Sequence, residues 1–348
     1  MESSEDRTGR WVGVRAPARL HFGFLDLGSA VERRFGSLGL AVSGLDAVVE
    51  ARPAVGLDVE GPYADKLTRI AQQVAAALAR PCHLAVRIRA LPPTHAGLGS
   101  GTLLALAAGT ACAEALGCRL APRDIAALTG RGQRSGIGIA SFEQGGFLVD
   151  GGRAAGTQLP PLLARVAFPS DWRLVLLFDE RQEGLSGTAE RAAFQTLPDM
   201  PVAIAGELCR QVLMGVLPAL HESDFAAFSA HLAEVQRLNG SYFAPAQGGL
   251  FASSLVGQQL ASLARTFDLP GIGQSSWGPT GFIVTPDAAT AQRVADACAM
   301  RAAAGLRCQI VAAANTGASP VAKGRDHGAK VPTAGGPAPG QGGFAIVR

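Results

Sequence analysis

The chain has 348 residues, 48% of them hydrophobic and 17% charged, with a formal net charge of +3. That length and apolarity suit two globular domains around a large core and exclude a disordered chain. Lys and Arg are scattered rather than blocked, and aromatic residues make up only 6%, so neither a basic nucleic-acid face nor a base-stacking platform is indicated.

In chain order, residues 1–10 are polar and read as a flexible start, without the apolar stretch of a signal peptide. No uncharged apolar run farther on approaches the length of a bilayer span, so a cytoplasmic protein is expected. Residues 11–24 read as extended, interrupted at Ala16-Pro17-Ala18. Residues 45–51 alternate as a strand. Leu67, Ile70, Val74 and Leu78 lie on one face of a helix over 65–80, and 84–90 alternates apolar residues with Arg87 and Arg89. A buried helix over 102–116 ends at Gly117, and Pro122 opens a short helix to 129. Residues 130–152 are glycine-rich and close on a strand at 146–150.

Gly and Pro in 151–161 mark a domain boundary, dividing the chain into 11–155 and 156–322. Beyond it come a strand at 173–178 and helices over 186–195, 201–217, 222–237 and 248–267. A second glycine loop at 271–281 leads into a strand at 282–285. Asp287 caps a helix running to 304, and 307–313 is a last strand. From Lys323 to the end, Gly, Pro and Ala predict a disordered tail. The six cysteines show no Cys-x-x-Cys pair, which favours buried free thiols over a zinc site. Strands and helices mix without steady alternation, so the expected class is α+β, two layered domains rather than a doubly wound sheet.

The most informative stretch is Pro92-Pro93-Thr94-His95-Ala96-Gly97-Leu98-Gly99-Ser100-Gly101-Thr102, followed at once by the buried helix. Alternating glycines let the backbone turn tightly and approach a ligand, and the helix points its free N–H groups and positive dipole end into the loop. A phosphate suits that arrangement; so does a packing turn with no ligand. The spacing matches neither the Walker pattern nor the dinucleotide fingerprint.

Three segments then resemble the GHMP kinase superfamily: residues 15–23 (Arg-Ala-Pro-Ala-Arg-Leu-His-Phe-Gly), the loop at 92–102, and residues 273–281 (Gly-Gln-Ser-Ser-Trp-Gly-Pro-Thr-Gly). Within it, Arg19-Leu20-His21-Phe22-Gly23-Phe24-Leu25-Asp26-Leu27, residues 131–138 and residues 274–280 resemble the 4-(β-D-ribofuranosyl)aminobenzene 5′-phosphate synthase (β-RFAP synthase) family. The resemblance runs from about residue 11 to 322. It implies an N-terminal ribosomal-protein-S5-domain-2-like layer and a C-terminal ferredoxin-like layer.

The departures from the kinase pattern are informative. Those kinases usually carry two serines after Gly-Leu-Gly, whereas Ser100 is followed by Gly101. Many carry an Asp as base in a Ser-Gly-x-Asp segment, where this chain has Gly138. A phosphate cradle without that apparatus is a poor phosphoryl-transfer catalyst. The resemblance implies instead a decarboxylating phosphoribosyl C-glycosyltransferase that joins phosphoribosyl pyrophosphate to 4-aminobenzoate or 4-hydroxybenzoate, releasing pyrophosphate and CO2, for tetrahydromethanopterin biosynthesis and one-carbon metabolism. It also implies a homodimer. The alternatives are an ATP-dependent small-molecule kinase and a non-catalytic ligand sensor of the same fold.

Such chemistry needs anion cradles and shielding of a cationic sugar rather than an enzyme nucleophile. Gly97, Leu98, Gly99, Ser100, Gly101 and Thr102 are the expected phosphate loop. Arg131 and Arg134, with Ser135 and Gly136, follow a helix in a glycine-rich segment and suit a phosphate or carboxylate clamp. Arg19 and His21 share a face of an extended stretch; His21 and Arg134 are the candidate catalytic residues, His21 by binding substrate rather than by acid–base work. Asp26 is the candidate ligand for Mg2+. Ser275, Ser276, Trp277 and Gly278 offer small polar groups and a broad ring for the arene or ribose. Residues 175–180 and 184–188 also resemble the phosphoribosyl pyrophosphate loop of ordinary phosphoribosyltransferases. Their spacing is off by about one residue and the rest of that fold's order is missing, so the likeness is mostly coincidence, with Glu190 a weak candidate and no role assigned to Asp179 or Glu180.

Overall fold

The computed structural model describes residues 10–182, 184, 194, 196–301 and 305–321. The helix expected over 186–195, Glu190 and the tail 323–348 lie outside the described residues.

Two sheets organise the chain. In the first, β1 (Val12–Asp26) pairs antiparallel with β2 (Gly36–Pro53), β2 with β4 (Leu84–Ala90), and β4 in parallel with β3 (Leu57–Glu60). β2 also pairs with β5 (Phe147–Asp150), β5 with β6 (Leu162–Val166), and β11 (Ser319–Pro320) returns to β1. The second sheet has the order β10 (Leu306–Ala312), β7 (Arg173–Asp179), β9 (Thr280–Thr285), β8 (Ile272–Gln274). Helices α1 (Ala64–Ala77), α2 (Ser100–Ala115), α3 (Pro122–Leu128) and α4 (Ile137–Glu143) accompany the first sheet. Helices α5 (Val202–Glu222), α6 (Phe225–Gln247), α7 (Ser254–Phe267) and α8 (Ala288–Arg301) accompany the second. The α+β class stands.

Local chemistry explains where the elements differ from expectation. β1 runs through Pro17, because the ladder shifts register between Ala16 and Ala18 and so spares the missing N–H. β2 begins at Gly36, well before the expected strand. Leu38, Leu40, Ala41 and Val42 are all fully buried there, and a strand buried on both faces shows no alternation to read. α4 lies where glycines suggested only loop; burial of Ile137, Ile139 and Phe142 overrides their low propensity. α2 is apolar all round and buried along its length, which makes it a rigid post at the centre of the first layer.

β6, past residue 155, pairs within the first sheet, the second sheet begins with β7, and Ser319–Pro320 returns to β1. One core cluster runs through both layers: Phe147 meets Phe228 edge-on at 6.2 Å, and Phe228 meets Phe168 at 5.5 Å. The free-thiol expectation is corrected as well, since Cys298 of α8 is joined to Cys308 of β10. Of the free cysteines only Cys112 is buried, and burial pushes its thiol up to about 12. α5 is long and apolar enough, by length and composition, to cross a membrane. It nevertheless contributes Leu208, Val212, Val216 and Leu220 to the shared core, and its Arg210 pairs with Glu207 at 2.6 Å.

Candidate active site

Three segments far apart in sequence lock together at the start of α2. The backbone N–H of His21 donates to Ser275 Oγ at 3.0 Å, and Ser275 Oγ donates to the Gly97 carbonyl at 2.7 Å. The N–H of Ser276 donates to the His21 carbonyl at 3.0 Å, and the Arg19 guanidinium donates to the Gly97 carbonyl. Gly97 sits at φ +78°, where a Cβ would lie 2.0 Å from the Ser275 carbonyl oxygen. A Cβ on Gly278 would lie 2.4 Å from the Gly97 nitrogen. The backbones thus pass closer than any side chain allows, which is the physical reason for glycine at both positions.

Gly99, in the left-handed region, ends the loop and α2 begins at Ser100. The N–H groups of Thr102 and Leu103 both turn back to the Gly99 carbonyl at 3.0 Å. Ser100 and Gly101, whose amides have no carbonyl a turn behind them, line a cleft of about 830 Å³. Arg19, Lys66, Arg69, Arg131 and Arg134 line the same cleft, and among the described residues no Asp or Glu does. Burial, then the charge of Arg69, lowers Arg131 from the usual arginine value. Tyr63, His95 and Ser276, also on its wall, hold positive φ of 66°, 59° and 56°. Such strain in non-glycine residues concentrates at functional sites. A cleft of one charge sign with helix-end donors suits a polyanion.

Where related kinases place their base, a Cβ on Gly138 would lie 3.1 Å from the Thr102 methyl. A larger residue there would press on the first turn of α2.

His21 is buried, 3% exposed, and forms part of the wall of both the cleft and a second cavity. Its Nδ1 accepts the Gly23 N–H at 3.2 Å, so the neutral ring carries its proton on Nε2. Burial, then the charges of Arg19 and Arg134, hold its pKa well below 6.5. Above pH 6.5 folded and unfolded forms are both neutral. As pH falls below 6.5 the unfolded chain takes up a proton that the folded one refuses, so stability is lost toward the folded pKa. Urea unfolding at pH 7.5 and 5.0 should therefore show a smaller acid loss for His21→Gln than for the unchanged protein; equal losses would mean that His21 titrates normally.

The second cavity, about 200 Å³, opens beside the cleft and shares His21, Phe24 and Ser276 with it. Its walls are aromatic: Trp277 stacks on Phe194 at 4.7 Å and meets Phe243 edge-on at 5.0 Å. The Arg134 guanidinium lies over Phe194, 4.8 Å from the ring centre, at the junction of the two spaces. Three amide side chains on this wall are spent internally. Asn239 accepts from Phe24 N–H at 2.9 Å, Gln236 donates to the Phe22 carbonyl, and Gln274 donates to Gln247 at 2.9 Å. What they leave is a flat apolar slot.

Most of the sequence-derived residues therefore line one of the two cavities, while Asp26, Ser275, Gly136, Asp179 and Glu180 lie elsewhere. Asp26 ends β1 away from both cavities, where its Oδ1 accepts the Gly28 N–H at 2.7 Å in a turn. Ser275 is fully buried and ties segments together rather than facing the cleft. Gly136 donates to the buried Asp150 carboxylate at 2.9 Å, while its neighbour Ser135 reaches the cleft. Trp277 belongs to the aromatic slot and not to the anion cleft. Asp179 forms a two-pronged pair with Arg181 at 2.9 Å and accepts from Ser253, which lowers its pKa to about 2. Glu180 pairs with Arg307 at 2.9 Å, so neither serves the cleft. Sequence reading missed Tyr63, Lys66 and Arg69. They stand three apart at the start of α1, a spacing that also describes a solvated helix face.

The sequence profile of the GHMP kinases N terminal domain matches residues 65–146. The β-ribofuranosylphenol 5′-phosphate synthase of Methanothermobacter thermautotrophicus is 31% identical over 296 residues, covering 79% of this chain and 88% of the relative. The protein of that name from Archaeoglobus fulgidus is 33% identical over 288 residues, covering 78% and 87%. Among solved structures, mevalonate diphosphate decarboxylase from Staphylococcus aureus shares the fold, with a TM-score of 0.64 at 14% identity over 92% of this chain and 100% of that one.

Proposed function

Because the chain belongs to the β-ribofuranosylphenol 5′-phosphate synthase family, built on the GHMP kinase fold, we propose that it is a transferase joining phosphoribosyl pyrophosphate to 4-hydroxybenzoate or 4-aminobenzoate. Pyrophosphate and CO2 leave, and the product serves tetrahydromethanopterin biosynthesis. One observation carries the reading: a cationic cleft and an aromatic slot meet at His21 and Ser276. The two substrates, a phosphorylated sugar and a flat aryl acid, have those complementary characters.

The C1–O bond of the sugar breaks and its electron pair leaves with pyrophosphate. The ring carbon bearing the carboxylate bonds to C1, with electron density supplied from the para oxygen or nitrogen. The carboxylate bond then returns its pair to the ring and CO2 departs. This balance needs no proton taken by the enzyme, consistent with a neutral His21 that offers only Nε2–H as a donor. The amides of Ser100 and Gly101 and the surrounding cations stabilise the charge gathering on pyrophosphate. The rings of Phe24, Phe194, Phe243 and Trp277 exclude water from the cationic sugar and the departing carboxylate.

No Asp or Glu lines the cleft among the described residues, and Asp26 faces elsewhere, so a carboxylate-built metal site does not fit. Mg2+ is proposed to enter with the pyrophosphate of the substrate, and no step is assigned to it. A cytoplasmic setting, where phosphoribosyl pyrophosphate is made, and a homodimeric assembly belong to the same proposal; light scattering checks the latter. The decisive assay supplies phosphoribosyl pyrophosphate and carboxyl-labelled 4-hydroxybenzoate or 4-aminobenzoate. Labelled CO2 with stoichiometric pyrophosphate is expected, and release of neither product with either acid would overturn the reading. Turnover of ATP on an added alcohol would favour the kinase alternative instead.

A further inference from the structure

We propose that Lys66 and Arg69 of α1, together with Arg131 and the first turn of α2, form a dedicated subsite for the leaving pyrophosphate, at the end of the cleft away from the aromatic slot. The inference rests on the proposed condensation and deepens it, assigning one anionic group of the substrate to a site that adds Lys66 and Arg69, which none of the three family motifs contains, to the glycine loop.

Lys66 and Arg69 stand one turn apart on α1 and line the cleft that Ser100 and Gly101 also line. Tyr63, just ahead of them, anchors this end of α1, since its hydroxyl donates to Thr94 Oγ1 at 3.1 Å in the segment leading to the glycine loop. Lys66 Nζ lies 5.0 Å from the Tyr63 ring centre, held over the ring face. Arg131 arrives from the other side, with its Nη1 at 3.5 Å from where a Gly101 Cβ would stand. Its Nε is buried with no hydrogen-bond partner, a cost that a bound anion relieves. Cations from α1 and from the loop after α3 thus converge on the helix-start amides of α2, and no carboxylate on the described cleft wall offsets them.

Stereochemistry gives the direction. Phosphoribosyl pyrophosphate carries its leaving group on the α face of C1, and the relatives' names specify a β-ribofuranosyl product. Displacement with inversion puts arene and pyrophosphate on opposite faces of C1. The slot meets the cleft at His21, Phe24 and Ser276, whereas Lys66, Arg69 and Arg131 border the cleft alone. An arene held in the slot therefore directs the leaving group away from the junction. As the C1–O bond breaks, its electron pair adds a negative charge to the departing pyrophosphate. Cations there stabilise the transition state more than the bound substrate.

The test is titration calorimetry on the full chain with inorganic pyrophosphate and, separately, ribose 5-phosphate. Lys66 and Arg69 are exposed on α1, so the Lys66→Ala, Arg69→Ala double variant is expected to keep its melting temperature. Its pyrophosphate Kd should weaken by about 100-fold, on the order of two charge-assisted contacts, while ribose 5-phosphate binding stays within about twofold. Lys66→Arg should retain most pyrophosphate affinity. Unchanged pyrophosphate binding in the double variant would overturn the subsite, as would an equal weakening for both ligands, which marks a diffuse field. The CO2 assay on the unaltered protein decides the family reading separately: turnover with unaffected pyrophosphate binding removes the subsite alone, and selective loss without turnover upholds an anion site while removing the condensation.

Discussion

Gly97→Ala is expected to destabilise the protein by about 3–5 kcal/mol and to abolish turnover. The added methyl meets the Ser275 carbonyl oxygen at 2.0 Å, and φ +78° is itself unfavourable for a side chain. The Cβ position is fixed by the backbone and the oxygen belongs to it, so no rotamer change relieves the contact. Either the glycine loop or the Ser275–Gly278 turn must withdraw, and with it goes the chain of bonds from His21 through Ser275 to Gly97. Thermal unfolding followed by circular dichroism should show a melting temperature lower by on the order of 10 °C. A variant melting within a degree of the unaltered protein would show that the close approach is not needed.

Ser100→Trp should leave the fold intact and weaken phosphoribosyl pyrophosphate binding by about 100-fold or more, equivalent to about 3 kcal/mol. Ser100 opens α2 and is half-buried on the cleft wall. An indole there projects into a space of about 830 Å³ rather than into packed core. It fills the space in front of the free amides that the anion would occupy, while removing none of the internal ties. Calorimetric binding alongside a thermal melt separates the two effects. Normal affinity in a folded Ser100→Trp protein would take the helix start out of substrate binding.

The kinase alternative loses ground on geometry as well as on sequence. Gly138 stands against the Thr102 methyl, 3.1 Å from where a Cβ would lie, so a base at that position would crowd the Thr102 side chain. The sensor alternative shares the cleft and the slot and differs only in turnover, which the CO2 assay measures.

Legibility varied by element for physical reasons. α2, β4 and α3 were readable because their signals are local: an unbroken apolar run, an alternation, a proline at the helix start. The first half of β2 and α4 were not readable. Their glycines suggested loop, and burial among residues distant in sequence overrode that preference. The Cys298–Cys308 pairing depends on α8 lying beside β10, which no spacing within either element reveals.

By itself the sequence determined which chemistry the chain retains and which it lacks. Glycines at 97, 99 and 101 ahead of a buried helix specify a tight turn into a helix start, and Gly101 and Gly138 stand where kinases carry other groups, because backbone conformation and side-chain identity are local properties. Only the tertiary structure decided how those pieces combine. Ser275 became an internal tie, Asp26 fell outside both cavities, and Lys66 and Arg69 came to line the cleft. The aromatic slot arose from β1, α6, Phe194 and the Ser275–Gly278 turn together. A cavity and its charge are sums over elements that meet through long-range packing, and that information is distributed over the whole chain rather than carried by any one motif.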